Sequence, residues 1–158
     1  MLMFHVPNDQ QLLAALGEVT LRHEHLNHIL KMTIKSIAGL TPTEAIDATA
    51  YEGSSALRER IRKLARQRLG EGEALLKLQA LMTRAGRLTE KRNDLTHGLW
   101  AQELDGDPGV MGAPGELRPL PSVNELKQLA IEIEALTKEL NHARLEGFLK
   151  ITLEEKIR

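Results

Sequence analysis

Apolar residues recur at intervals of three and four along most of the chain, the spacing that places them on one face of an α-helix. The first such segment predicts a helix over residues 9–38, ended by Gly39. A capping box that begins at Thr41 predicts a short second helix. A serine after Gly53 starts a third helix, which runs to Leu69.

A fourth helix is predicted from Glu73 through a row of leucines that reaches Leu99. Gly86 lies inside it and lowers its helix propensity by roughly 1 kcal/mol relative to alanine. Residues 101–121 contain Asp-Pro-Gly and Ala-Pro-Gly turn signals, which predict a surface loop or a small hairpin. A second capping box, beginning at Ser122, opens a final helix before a mixed tail.

This pattern predicts an all-α fold in a single helical domain over residues 1–158. Helices longer than about 25 residues favour an elongated antiparallel bundle, here of four to five helices. The loop or small hairpin near 101–121 interrupts the bundle without adding a second core.

Composition narrows the functional classes. The net charge is −1, so any surface that attracts nucleic acid must be local. The chain has no cysteine, which excludes disulfides, thiolate zinc sites and a cysteine nucleophile. Neither a signal peptide nor an apolar run long enough to span a bilayer is evident, so we expect a cytoplasmic protein without membrane contact.

The main candidate for chemistry is a short polar motif late in the fourth helix, where Arg92, Asn93 and His97 lie within six residues. An arginine fork matches a phosphate, and a histidine exchanges a proton near neutral pH. Asn93 would orient one of these groups. With an RNA 2′-hydroxyl as internal nucleophile, this set could cleave a phosphodiester with no metal and no cofactor.

The helical geometry complicates this hypothesis. Arg92 lies at the edge of the apolar face, whereas His97 is displaced from it by about 140° on an ideal helix. A long arginine side chain or a second subunit would therefore be needed to bring both groups to one substrate. One histidine cannot readily make both proton transfers, which favours a composite site across a homodimer axis.

The run from Arg92 to His97 resembles the R-x(4-6)-H signature of HEPN domains, in the form with a polar residue directly after the arginine. The resemblance implies a helical domain that usually dimerises. Active members are metal-independent endoribonucleases, and many are toxins or defence effectors. The resemblance implies that Arg92 and His97 are catalytic and that Asn93 supports them. It also implies RNA as substrate, and an antitoxin or other protein as a possible partner.

The predicted third helix is strongly basic, with six cations in eleven positions. These are Arg58, Arg60, Arg62, Lys63, Arg66 and Arg68. Such a face suits RNA phosphates. The residues that we predict to bind RNA are Arg58, Arg62, Lys63 and Arg66. The alternative is a solvated face whose charges meet acids on neighbouring helices.

Other interpretations of the chain stay open. Arg92 could pair with a carboxylate such as Glu24, with His97 favoured by the helix dipole. The protein would then be a catalytically inactive dimerisation or interaction module. The first helix also carries side chains at metal-capable spacings, which are His23, Glu24, His25 and His28. Because they form no complete ligand motif, a metal-binding bundle is the least favoured alternative.

Overall fold

A computed structural model describes residues 1–112 and 115–157 of the chain. These residues form a helical bundle with a small antiparallel sheet beside it. In chain order the elements are β1 (Leu2–Phe4), α1 (Gln10–Ala38), α2 (Pro42–Ala48), α3 (Ser54–Leu69), α4 (Glu73–Thr96), β2 (Leu99–Glu103), β3 (Pro108–Met111), β4 (Leu117–Pro119), α5 (Val123–Leu145) and α6 (Phe148–Ile157).

The predicted helix starts are confirmed by their capping contacts. Asp9 caps α1, where its carboxylate accepts a hydrogen bond from a backbone amide at 3.1 Å. The Thr41 and Ser122 hydroxyls do the same for α2 and α5, at 3.2 and 3.0 Å. Gly39 ends α1 in the left-handed conformation, with φ of 70°, which glycine adopts at little cost.

The core lies between α1, α3, α4 and α5, each of which turns its apolar stripe inward. The largest fully buried side chains are Leu26, Leu30, Ile34, Leu57, Ile61, Leu78, Met82, Leu126, Ile133, Leu136, Leu140 and Leu149. Burial of each such side chain contributes roughly 1.5–3 kcal/mol. Leu149 comes from α6, which replaces the predicted mixed tail, so the final segment is a helix that packs on the bundle.

The sheet is the part of the fold that the predicted all-α class omitted. Residues 101–121 form most of a β2–β3–β4 meander, and the N-terminal arm adds β1 to give the order β1-β2-β3-β4. Phe4 pairs with Ala101, and Trp100 pairs with Val110. The predicted turn around 112–115 falls partly outside the described residues.

The chain passes from α4 to β2 through a tight junction at Gly98. A Cβ there would overlap the Val110 side chain and lie 2.9 Å from the Asp94 carbonyl oxygen. Trp100 reinforces the junction, because its indole Nε1 donates to the Leu95 carbonyl at 2.8 Å. The end of α4 is therefore held against the sheet. Within residues 1–112 and 115–157, no helix is long and apolar enough to cross a membrane.

Candidate active site

Arg92 projects from the last turns of α4 and contacts two imidazoles. Its Nη1 lies 2.8 Å from His97 Nε2, and its Nη2 lies 2.8 Å from His23 Nδ1. The Thr96 hydroxyl lies 3.4 Å from Nη1. The side chain is half-buried, whereas His97 is exposed. The cluster of His23, Thr89, Arg92 and His97, called the arginine site below, is accessible to a ligand from the His97 side.

The two predicted catalytic residues therefore meet within one chain. His97 caps the C-terminus of α4, and its backbone amide donates to the Asn93 carbonyl at 2.9 Å. From that position the ring faces the Arg92 guanidinium despite their separation on the helical wheel. Of the two ways considered above to bring these groups together, the structure shows the first, because the length of the arginine side chain bridges the gap.

Arg92 has no ion pair with a carboxylate among the described residues. Its side-chain bonds go to Thr96 and the two imidazoles. Glu24, considered above as its structural partner, acts only at longer range: burial lowers the pKa of Arg92 and the charge of Glu24 opposes this. Arg92 Nε is buried without a hydrogen-bond partner. The guanidinium thus has no carboxylate in direct contact, which favours a bound anion.

Sequence analysis singled out His23 only as a possible metal ligand and did not place it beside Arg92. It lies on the buried stripe of α1 between Val19 and Leu26 and is 0% exposed. Its Nε2 lies 2.9 Å from Thr89 Oγ1 on α4. A guanidinium carries only donors, so the His23 Nδ1 that faces Arg92 must be an acceptor. The Nε2–H then donates to Thr89.

The neutral state of His23 follows from its surroundings. Burial lowers its pKa to about 4, and the positive charges of Arg92 and Arg58 act in the same direction, as does His97. The ring is therefore neutral at physiological pH. In the sequence, the feature that indicates a buried position for His23 is its place in the apolar stripe of α1, and not its proximity to other histidines.

The remaining metal-capable residues of α1 do not assemble around His23. Glu24, His25 and His28 are exposed, whereas His23 is buried. In the part of the chain that the structure describes, no group of three or more histidine, aspartate and glutamate side chains could hold a metal ion. The structure therefore gives the metal-binding alternative no support.

Of the basic residues on α3, Arg58 is the one whose charge reaches the arginine site. It is half-buried and packs over Gly86 of α4, with its Nε 3.4 Å from where a Cβ of that glycine would lie. Burial lowers the pKa of Arg58, helped by the charge of Arg62 and opposed by Glu90. Its Nη1 is buried without a hydrogen-bond partner.

The other predicted RNA contacts are more peripheral. Arg62 is partly exposed and lies 3.7 Å from Glu59 on the same helix. Lys63 and Arg66 are exposed.

Asn93, the predicted supporting residue of the motif, is half-buried. Its backbone oxygen accepts a hydrogen bond from the His97 amide, so the contact that it makes at the site is a main-chain one.

Comparisons of the chain with protein-family models, with curated proteins and with solved structures give no significant match. The function must therefore be inferred from the side chains of the arginine site.

Proposed function

We propose that the protein is a metal-independent endoribonuclease of the HEPN type, with Arg92 and His97 acting on one phosphodiester. The observation that carries the proposal is the contact between a half-buried guanidinium without a carboxylate partner and an exposed imidazole. The guanidinium offers paired donors to phosphate oxygens, and the imidazole offers a ring nitrogen that can accept a proton.

The chemistry would follow from exchange of one hydrogen bond. A phosphate that binds Arg92 accepts the hydrogen bond that Nη1 otherwise donates to His97, and the lone pair on His97 Nε2 becomes free. His97 then removes the proton from the 2′-hydroxyl, and O2′ attacks phosphorus while the bond from phosphorus to O5′ breaks. The products are a 2′,3′-cyclic phosphate and a 5′-hydroxyl, whose oxygen takes up one proton. Arg92 stabilises the negative charge on the phosphorane.

The proton for O5′ requires a second donor. His23 is unsuited to this task, because it is buried and its low pKa keeps it neutral. The proposal therefore includes a homodimer, in which His97 of the partner subunit protonates the leaving oxygen. Light scattering tests whether the homodimer forms. A strictly monomeric active enzyme would require water as the proton donor.

RNA binding and biological role complete the proposal. Arg58, together with Arg62, Lys63 and Arg66 along α3, would contact flanking phosphates. The HEPN resemblance suggests a toxin or defence effector, with an antitoxin or other protein as a regulatory partner.

The decisive experiment incubates the purified protein with mixed RNA substrates in EDTA. Wild type should release fragments with 2′,3′-cyclic phosphate ends, and RNA with 2′-deoxy substitutions should resist. Arg92→Ala and His97→Ala should each lose activity by about 100-fold or more. The matched control is His142→Ala, an exposed histidine on α5 beside Lys77 that should leave the rate unchanged.

Three outcomes would contradict the assignment: no cleavage by wild type, equal cleavage by His97→Ala, or cleavage that requires an added metal ion. A dimer that binds RNA or protein but cleaves neither mixed nor structured RNA would instead favour the interaction-module alternative.

A further inference from the structure

We propose that His23 is a positioning residue that fixes the orientation of the Arg92 guanidinium through one neutral tautomer. This inference rests on the proposed function, since it assigns a role within the same site. It adds a residue from α1, a helix that contributes nothing to the sequence motif.

The first argument is the two-sided contact of the imidazole. On one side Nδ1 accepts from Arg92 Nη2 at 2.8 Å, and on the other Nε2 donates to Thr89 at 2.9 Å. The ring is fully buried, so packing restricts its rotation. Because the Arg92 guanidinium can only donate, it requires the tautomer whose Nδ1 lone pair faces it, and the Nε2–H is then held by the Thr89 hydroxyl as acceptor.

The second argument concerns what holds Arg92 in place. An arginine side chain has several rotatable bonds and requires contacts to keep one geometry. Its Nε is buried without a partner, and its Nη1 bonds are to Thr96 and the exposed His97. The bond to His23 is therefore the buried anchor, and it leaves Nη1 directed toward the side on which a phosphate would bind.

The third argument is that only a neutral ring can perform this role. The charged and titratable groups acting on His23 are Arg92 and His97 at the end of α4 and Arg58 on α3, while Glu24 on α1 acts on Arg92. A second proton on the ring would point at the guanidinium and repel it. Burial and these neighbours keep that proton off near neutral pH, so the anchor persists where the enzyme works.

A positioning role predicts a separation of kinetic effects. Loss of His23 leaves the Arg92 charge in place, so RNA still binds, but the donor fork is no longer aligned with the reacting phosphate. His23→Leu, which keeps the apolar volume and removes both bonds, should lower kcat by about tenfold to 100-fold with KM within about threefold. His23→Asn keeps an acceptor near the Nδ1 position and should recover most of the lost kcat.

The experiment measures kcat and KM for wild type, His23→Leu and His23→Asn at pH 7.5, with circular dichroism to confirm that each variant folds. His28, an exposed histidine of the same helix, supplies the matched control, because His28→Leu should keep both constants. Wild-type kcat in His23→Leu, or equal losses in the Leu and Asn variants, would overturn the inference.

A second readout is independent of catalysis. Long-range proton–nitrogen NMR spectra of the folded wild type should show His23 protonated at Nε2 alone, and the Arg92 Nη resonances should shift in His23→Leu. A proton on Nδ1, or unchanged Arg92 resonances, would overturn the inference whether or not RNA is cleaved. If the expected tautomer and shifts appear while wild type proves inactive, the proposed function fails and the positioning of Arg92 stands.

Discussion

Lowering the pH from about 7.5 to about 5 should destabilise the protein by about 2 kcal/mol through His23 alone. The pKa of this group is about 4 in the folded protein, against 6.5 for an unperturbed histidine. Between these values the unfolded chain binds a proton that the folded protein excludes, so acid favours unfolding. This loss of stability begins as the pH falls through 6.5, the pKa of the unfolded chain, and reaches its full size as the pH falls through 4.

The magnitude follows from the size of the pKa shift. Each pKa unit corresponds to about 1.4 kcal/mol, so the full shift is worth about 3 to 4 kcal/mol at a pH below both values. At about pH 5 the unfolded chain is largely protonated and the folded protein is largely not, which gives somewhat more than half of that difference, about 2 kcal/mol.

The assay is urea unfolding across this pH range, followed by circular dichroism and by the fluorescence of Trp100, the only tryptophan. His23→Asn cannot titrate, so its stability should fall by about 2 kcal/mol less than that of wild type over the same interval. His28→Asn, at an exposed position of α1, should retain the wild-type pH dependence. Parallel curves for wild type and His23→Asn would refute the reasoning.

Two further pairs of substitutions test the packing by urea unfolding at neutral pH. Gly98→Ala should lower the free energy of unfolding by roughly 2 kcal/mol, because its Cβ would overlap Val110. Gly17→Ala, in α1 with open space around it, should raise the free energy of unfolding by roughly 0.5–1 kcal/mol. Changes of the same sign in the free energies of unfolding of the two variants would contradict this account. Leu26→Ala should cost roughly 3 kcal/mol at a fully buried position, whereas Leu21→Ala, 63% exposed, should change stability by less than about 0.5 kcal/mol; similar losses would disprove the assigned core.

The helices were predictable because their signals are local. Apolar periodicity and capping residues such as Thr41 and Ser122 act within one or two turns, and the structure confirms them. The sheet was not predictable to the same extent. Pairing of Phe4 with Ala101 joins the N-terminal arm to a segment far along the chain, and no local pattern reports it. The turn signals within 101–121 predicted a loop or a small hairpin, but not the third strand of the meander or its pairing with β1.

The motif of the candidate site could be predicted from the sequence, but the contacts between its side chains could not. Arg92 and His97 stood out by residue type and spacing, whereas their contact depends on the path of a flexible side chain. His23 was grouped with neighbouring histidines because sequence order suggests proximity, although the helix turns them to different faces. Arg58 packs over Gly86, a contact between helices that the sequence did not indicate, since Gly86 predicted only a loss of helix propensity.

The pairing of β1 with β2 has a consequence for folding. It closes a loop of roughly a hundred residues that contains α1 to α4, and the entropy cost of such a closure is met only when the intervening chain is already compact. The packing of α1 against α5 closes a loop of similar length, so we expect β1 to pair with β2 once that packing has brought the two ends of the chain together. Since β2 pairs with β1 and also anchors the end of α4 through Trp100, the first residues of the chain brace the segment that carries His97.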